Sequence, residues 1–122
     1  MAASVAAIVL IVEDELLVRE DAAQMLEAAG YTTLQARDAE EAIAILEQRD
    51  DIRVVFTDVQ MPGSMDGLRL AEVVRNRWPP VELIVTSGQP APKLDRLPAR
   101  AKFLPKPYSD TGLIAALAPM LE

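Results

Sequence analysis

Short runs of consecutive hydrophobic residues alternate along the chain with segments in which hydrophobic residues recur every three or four positions. The runs occupy residues 6–12, 53–57 and 81–85, and a shorter strand candidate occupies residues 31–36. Runs of this kind are typical of strands that are buried on both faces of a sheet. The pattern therefore predicts a sheet that is covered by helices on both sides.

The intervening segments carry the start and stop signals of helices. Gly30 follows the first helical segment, and Pro79-Pro80 follows the third, as is common after a helix end. Asp38 precedes Glu41 by three residues, which fits a capping box at the start of the second helix. A last helix is predicted after Ser109. The hydrophobic positions of the four helices are Val18, Ala22, Met25, Leu26 and Ala29; Ala42, Ile43 and Leu46; Leu70, Val73 and Val74; and Leu113, Ile114, Leu117 and Leu121.

Strands that alternate with helices predict an α/β fold with a doubly wound parallel sheet, here of five strands if a short one ends at Lys106. The segment between Thr86 and Lys106 departs from this pattern, because it contains four prolines. A proline inside a helix costs about 3 kcal/mol, so residues 93–97 form at most a single turn. The fourth helix of the fold is therefore predicted to be short or missing. The four prolines are Pro90, Pro92, Pro98 and Pro105.

Composition narrows the chemistry that is open to this chain. A length of 122 residues predicts one domain, residues 1–122. The chain has no cysteine and no histidine, which excludes a disulfide framework, a zinc site with Cys or His ligands, and a Ser-His-Asp triad. Its net charge of -7 argues against direct binding to nucleic acid. The apolar residues 2–12 are too few to span a bilayer, so we expect no membrane association and a cytoplasmic location.

Polar residues with complementary chemistry fall where the predicted strands end. The first strand is followed by Glu13-Asp14, the next core strand by Asp58, the third by Thr86 and the last by Lys106. In a parallel sheet with right-handed crossovers these residues meet at one edge, where ligands bind in such folds. Neighbouring carboxylates about 4 Å apart repel by roughly 4 kcal/mol at an effective dielectric constant of 20, so a cation is expected among them. Oxygen ligands without His or Cys favour Mg²⁺, or Mn²⁺ in its place.

Each of these residues also has an ordinary structural explanation when it is taken alone. A strand-end aspartate is more often a helix cap, Thr86 would be a strand residue, and Lys106 a solvated charge. The occurrence of chemically matched residues at several strand ends together favours the functional interpretation.

These positions are embedded in motifs that resemble, in order and spacing, the receiver domain of two-component response regulators, a flavodoxin-like fold. The resemblance extends over nearly the whole chain. The motifs are Val12-Glu13-Asp14-Glu15, Phe56-Thr57-Asp58-Val59-Gln60-Met61-Pro62, Met65-Asp66-Gly67, Thr86-Ser87-Gly88 and Lys106-Pro107.

The resemblance implies a role for each residue of the constellation. Asp58 would accept the phosphoryl group, and Thr86 and Lys106 would contact the phosphoryl oxygens. Asp14 would ligate Mg²⁺ directly and Glu13 through water, with Asp58 and the backbone carbonyl of Gln60 as further ligands. Phosphoryl transfer relies on positioning and charge neutralisation, which agrees with this set of residues. Phe103 would be the aromatic residue of the switch, although core packing explains it equally well. Lys106-Pro107 would be a cis peptide bond.

By this resemblance the chain is a phosphorylation-dependent switch that catalyses only its own phosphorylation and dephosphorylation. Its phosphodonor would be a sensor histidine kinase or a histidine phosphotransfer protein, and the downstream partner is not identified. A homodimer is left open, and if the chain is complete its output would be protein–protein contact. One alternative is a degenerate receiver that binds partners constitutively. Another is a phosphotransferase of the haloacid-dehalogenase type, which would need a second aspartate where Gln60 stands.

Two features depart from the commonest receivers. The loop of residues 61–67 is one residue longer between Met-Pro and Asp-Gly, which could alter access beside Asp58. The proline-rich segment before Phe103 changes a part of the surface that often carries the output of the family. The partner surface and the mode of dimerisation are therefore not predicted.

Overall fold

Five parallel strands form one sheet in the computed structural model, which describes residues 8–88 and 96–121. The strands are β1 (Ile8–Val12), β2 (Thr32–Ala36), β3 (Ile52–Asp58), β4 (Glu82–Ser87) and β5 (Lys102–Pro105). They are arranged in the order β2-β1-β3-β4-β5, and every neighbouring pair is parallel. The predicted doubly wound parallel sheet is therefore confirmed.

Four helices connect and cover the strands, and a short 3₁₀ helix (Ala118–Leu121) follows the last of them. The helices are α1 (Leu16–Ala28), α2 (Ala39–Gln48), α3 (Gly67–Arg77) and α4 (Asp110–Leu117). Three of them begin at a residue whose side chain accepts a hydrogen bond from the backbone three residues on: Asp38, Asp66 and Ser109. Glu41, predicted to complete a capping box on Asp38, accepts instead from the backbone N–H of Arg37, at 2.9 Å.

The side chains of the central strands alternate between two hydrophobic cores. Ile8, Leu10 and Val12 of β1 pack on the side of α2 and α3. Val9 and Ile11 pack on the opposite side, against α1 and α4. Because both faces are buried, the central strands contain continuous hydrophobic runs.

The connection between β4 and β5 contains no α-helix in its described part, Gly88 and residues 96–101. The single turn predicted for residues 93–97 lies mostly outside the described residues. Arg75, at the end of α3, holds the visible part of this connection in place. Its guanidinium donates to the carbonyl oxygen of Ala99 in this connection (2.8 Å) and to those of Pro79 (2.7 Å) and Val81 (3.0 Å) between α3 and β4.

Within the described residues, no helix has the length and hydrophobicity that a bilayer crossing requires.

Candidate functional site

The register of the sheet brings the predicted site residues to one edge. Asp58, the last residue of β3, is opposite Thr86 of β4, and Glu13 directly follows β1. Lys106 follows β5, and its backbone N–H donates to the carbonyl oxygen of Ser87 at 2.9 Å. The edge is formed by the carboxyl ends of the strands, as expected for a ligand site in an open parallel sheet.

Three carboxylates lie together at this edge. Glu13, Asp14 and Asp58 each place one oxygen within 4.8 Å of the other two. Glu13 and Asp58 are only 4% and 6% exposed, whereas Asp14 is exposed. Buried like charges at such distances repel by several kcal/mol, and a divalent cation would offset this repulsion. The oxygen donors fit Mg²⁺, which prefers carboxylate and carbonyl ligands and retains water on its open side.

Lys106 partly compensates the negative charge. Its Nζ donates to Oε1 of Glu13 at 3.0 Å and to Oδ2 of Asp58 at 3.1 Å. Burial disfavours the ammonium ion, but the hydrogen bonds to the two carboxylates outweigh burial and raise the pKa of Lys106. Burial also raises the pKa of Glu13, and the contact with Lys106 opposes that shift only in part.

Two buried oxygens at this edge have no hydrogen-bond partner in the described part of the chain. They are Oδ1 of Asp58 and Oγ1 of Thr86, which belong to residues that face each other across the β3–β4 register. An unpaired buried polar atom costs about 1–3 kcal/mol, so each such atom requires an explanation, and a bound ion or ligand is one. A carboxylate acceptor and a hydroxyl donor are thus available side by side, next to an ammonium group.

Gly67 positions Asp58, a role that the sequence motif did not reveal. The backbone N–H of Gly67 donates to the carbonyl oxygen of Val59 at 2.9 Å. A Cβ at Gly67 would overlap the carbonyl oxygen of Asp58 and would lie 2.9 Å from the Cα of Val59. The Asp-Gly pair at the start of α3 is the sequence signal of this close approach, because glycine is used where two backbones meet.

Ser87 is a second residue whose role the sequence did not predict. Its hydroxyl donates to the side-chain oxygen of Gln60 at 2.7 Å, across the gap between β4 and the loop after β3. Gln60 lines an open cavity of about 490 Å³ together with Asp14. Gln60 therefore lies beside Asp14, one of the three carboxylates, and the role of its backbone carbonyl as a ligand stays a prediction.

Two further predicted residues lie near the site: Phe103 on β5, and Pro107 just after this strand. Phe103 is opposite Val85 in the sheet and packs, partly buried, against the core beneath α2 and α3. Its role in a switch stays a prediction. The Lys106-Pro107 peptide bond is cis.

An open groove of about 800 Å³ extends from Lys106 along α1. Leu17, at its rim, is 80% exposed, and the adjacent Leu16 is 53% exposed. They are the exposed large hydrophobic residues of the described chain. The groove is lined by the apolar residues Leu17, Val18, Met25, Pro107 and Tyr108 and by the acidic residues Glu15 and Asp21.

Residues 9–118 match the family described as "Response regulator receiver domain". The chain is 40% identical over 120 residues to the sensor kinase CckA of Brucella abortus (strain 2308), covering 95% of this chain and 13% of CckA. It is 31% identical to the nitrogen assimilation regulatory protein NtrX of Azorhizobium caulinodans, covering 93% of this chain and 26% of NtrX. The chain thus spans a small part of these relatives.

Solved structures give the same result. The crystal structure of the receiver domain from the hybrid histidine kinase CckA superposes with a TM-score of 0.81 at 34% identity, covering 95% of this chain and 100% of that one. A response regulator receiver protein from Sinorhizobium medicae WSM419 superposes with a TM-score of 0.88 at 26% identity, covering 95% and 94%. The family match extends over most of the chain and includes every strand-end residue described above. The chain therefore belongs to the receiver domains of two-component response regulators.

Proposed function

We propose that residues 1–122 form one receiver domain that acts in the cytoplasm as a signalling switch, in which Asp58 accepts a phosphoryl group. The observation that carries this proposal is the buried, unpaired Oδ1 of Asp58, next to the equally unpaired hydroxyl of Thr86. A phosphoryl group on Asp58 would give that hydroxyl an acceptor and would give the ammonium of Lys106 phosphoryl oxygens to pair with, in addition to Glu13. Phosphorylation would therefore supply the contacts that these side chains lack.

The transfer requires a carboxylate nucleophile and neutralisation of spread negative charge, with no acid–base group. An oxygen of Asp58 forms a bond to phosphorus while the bond from phosphorus to the donor's imidazole nitrogen breaks, and the imidazole leaves with the electron pair. The hydroxyl of Thr86 donates a hydrogen bond to a phosphoryl oxygen, and Lys106 pairs with another. Glu13, Asp14, Asp58 and the carbonyl of Gln60 would hold Mg²⁺, which neutralises charge on the transferring group when it is bound.

The switch follows from the change in charge at Asp58. An acyl phosphate adds about -1.5 to -2 charges at the sheet edge. Thr86 moves toward the phosphoryl oxygens, and the space that it leaves can accept Phe103, which lies on the neighbouring strand. The surface formed by β5 and α4 thereby reports the state of Asp58.

The phosphodonor is a histidine kinase or a histidine phosphotransfer protein. Exposed Leu16 and Leu17 and the apolar groove that leads to Lys106 support a protein donor, because this surface adjoins the phosphoacceptor edge. A phosphohistidine must reach that edge, so the surface beside it suits a helix of the donor that carries the histidine. The acidic residues Glu15 and Asp21 favour basic side chains on that helix.

The domain is not an enzyme toward other substrates. A haloacid-dehalogenase mechanism requires an acid–base aspartate at position 60, and the carboxamide of Gln60 cannot transfer a proton in this way. A degenerate receiver is disfavoured because Glu13, Asp14, Asp58, Thr86 and Lys106 are all chemically competent.

Intact mass after incubation with acetyl phosphate and Mg²⁺ tests the proposal. The wild-type chain should gain one phosphoryl group in a Mg²⁺-dependent reaction, and Asp58→Asn should gain none. Asp50→Asn is the matched control, because Asp50 is exposed at the opposite end of the sheet, and it should react like the wild type. An adduct on Asp58→Asn would refute the assignment. If the wild type shows no adduct, binding of beryllofluoride indicates rapid hydrolysis, and no binding indicates a degenerate receiver.

A further inference from the structure

Ser87 connects three segments at the phosphoacceptor edge. Its carbonyl oxygen accepts from the backbone N–H of Lys106, and its hydroxyl donates to the side chain of Gln60. The carbonyl oxygen of the preceding Thr86 accepts from the backbone of Val59 at 2.9 Å. The end of β4 thus contacts both the loop after β3 and the residue after β5. Ser87 is 1% exposed, which fixes its side chain in place.

The loop after β3 has few other attachments in this region. The backbone of residues 60–65 forms no hydrogen bond with the backbone of residues 8–88 or 96–121. The sulfur of Met61 lies 4.0 Å from the hydroxyl of Thr57, which is a weak contact. The 2.7 Å bond between Ser87 and Gln60 is therefore the main polar attachment of the loop to the described sheet edge. Gln60 would otherwise be an exposed residue that is free to rotate.

We infer that Ser87 and Gln60 form a positioning pair for the divalent cation. The side-chain bond restricts the conformations of Gln60, which lines a cavity together with Asp14, and would thereby restrict the orientation of its backbone carbonyl. The inference rests on the proposed function, in which that carbonyl is a ligand. Groups that orient the ligands of a metal without touching it typically change its affinity by about 10- to 100-fold. Ser87 and Gln60 carry no charge, so they act on orientation alone.

Calorimetric titration of the unphosphorylated full chain with Mg²⁺ tests this pair. Ser87→Ala removes the hydroxyl and Gln60→Met removes its acceptor, while the backbone carbonyl of residue 60 is kept. Each single variant should bind Mg²⁺ about three- to tenfold more weakly, as expected for the loss of one neutral hydrogen bond. The double variant should be no weaker than the single variants, because both changes break the same bond. Ser64→Ala, in the exposed part of the same loop, is the control and should bind like the wild type.

The outcomes separate this inference from the proposed function. Mg²⁺ affinities that are unchanged in both single variants, or losses that add in the double variant, would overturn the positioning role while leaving the proposed function intact. A wild-type chain that binds no Mg²⁺ would overturn both. A thermal melt of each variant without Mg²⁺ checks that it folds. Gln60 is exposed, so Gln60→Met alters no buried side chain and still tests the inference if Ser87→Ala fails to fold.

Discussion

The first residue of α3, Gly67, lies directly against the backbone carbonyl of Asp58, with no space for a side chain between them. The amide of Gly67 donates to the next carbonyl, that of Val59. The start of α3 therefore fixes the backbone of Asp58. Asp66 caps the same helix turn through a 2.9 Å bond from the backbone of Arg69, which holds Gly67 in register.

Gly67→Ala should lower the free energy of unfolding by about 1–3 kcal/mol, the usual cost of forcing extra volume into a packed region. The close contact is with backbone atoms, which cannot rotate away. Urea denaturation measures this difference. Gly88→Ala is the matched control, because a Cβ there would lie 3.9 Å from the Lys106 side chain, in ordinary contact. Equal stability of the two variants would contradict the role given to Gly67.

Mg²⁺ should stabilise the wild-type chain against heat, because a ligand that binds only the folded state adds to its stability. The Asp14→Asn variant should lose most of this Mg²⁺-dependent gain in stability, because it lacks the exposed carboxylate of the cluster. Without Mg²⁺ the same variant should be at least as stable as the wild type, because one of three mutually repelling charges is removed. Melting temperatures with and without Mg²⁺ measure both effects. A variant that keeps the full gain would exclude Asp14 from the cation site, and Asp50→Asn serves as the control.

Leu17→Glu should slow phosphorylation by a histidine kinase that phosphorylates the wild-type chain, by about tenfold or more. Loss of one buried leucine contact costs about 1.5–3 kcal/mol, and 1.4 kcal/mol corresponds to a factor of ten. The rate with acetyl phosphate should not change, because that donor needs no docking surface. Ala44→Glu adds the same charge on an exposed position of α2 and should leave both rates unchanged. A similar loss with both donors would place the defect in Asp58 chemistry instead of docking.

Tyr108 should ionise at higher pH in the folded chain than in the unfolded chain. Its ring packs edge-on against Phe56, with 5.4 Å between ring centroids, and burial raises its pKa above the usual value of about 10. The unfolded chain gives up this proton first, so the contribution of Tyr108 to stability is complete below about pH 10 and falls as the pH rises through the folded pKa. The chain has two tyrosines, so the Tyr31→Phe variant retains only Tyr108. The absorbance of this variant, followed as the pH rises, therefore reports the ionisation of Tyr108 alone. Equal midpoints with and without urea would refute the shift.

The sequence by itself determined the order of the elements and the residues at the strand ends. Continuous hydrophobic runs predict doubly covered strands because both faces of β1 and β3 are buried, and this is a local property that the sequence records. The cap residue Asp38 was likewise visible, because a cap acts on the backbone three residues away. The sequence also placed the last helix after Ser109, whose hydroxyl proves to be its cap. The convergence of Asp58, Thr86 and Lys106 followed from the rule for parallel sheets.

The tertiary structure alone decided which atoms contact each other across the chain. The bond between Ser87 and Gln60 joins residues whose side chains give no distinctive sequence signal, and the Asp-Gly pair marks a close approach of Gly67 without showing that its neighbour is Asp58. Arg75 bonds to Ala99, 24 positions away, for the same reason. Hydrophobic periodicity indicates on which face of its own helix or strand a residue lies. Contacts of this kind depend instead on how separate elements pack against each other. Hydrogen bonds are short and directional, so they are known only when the distances are known.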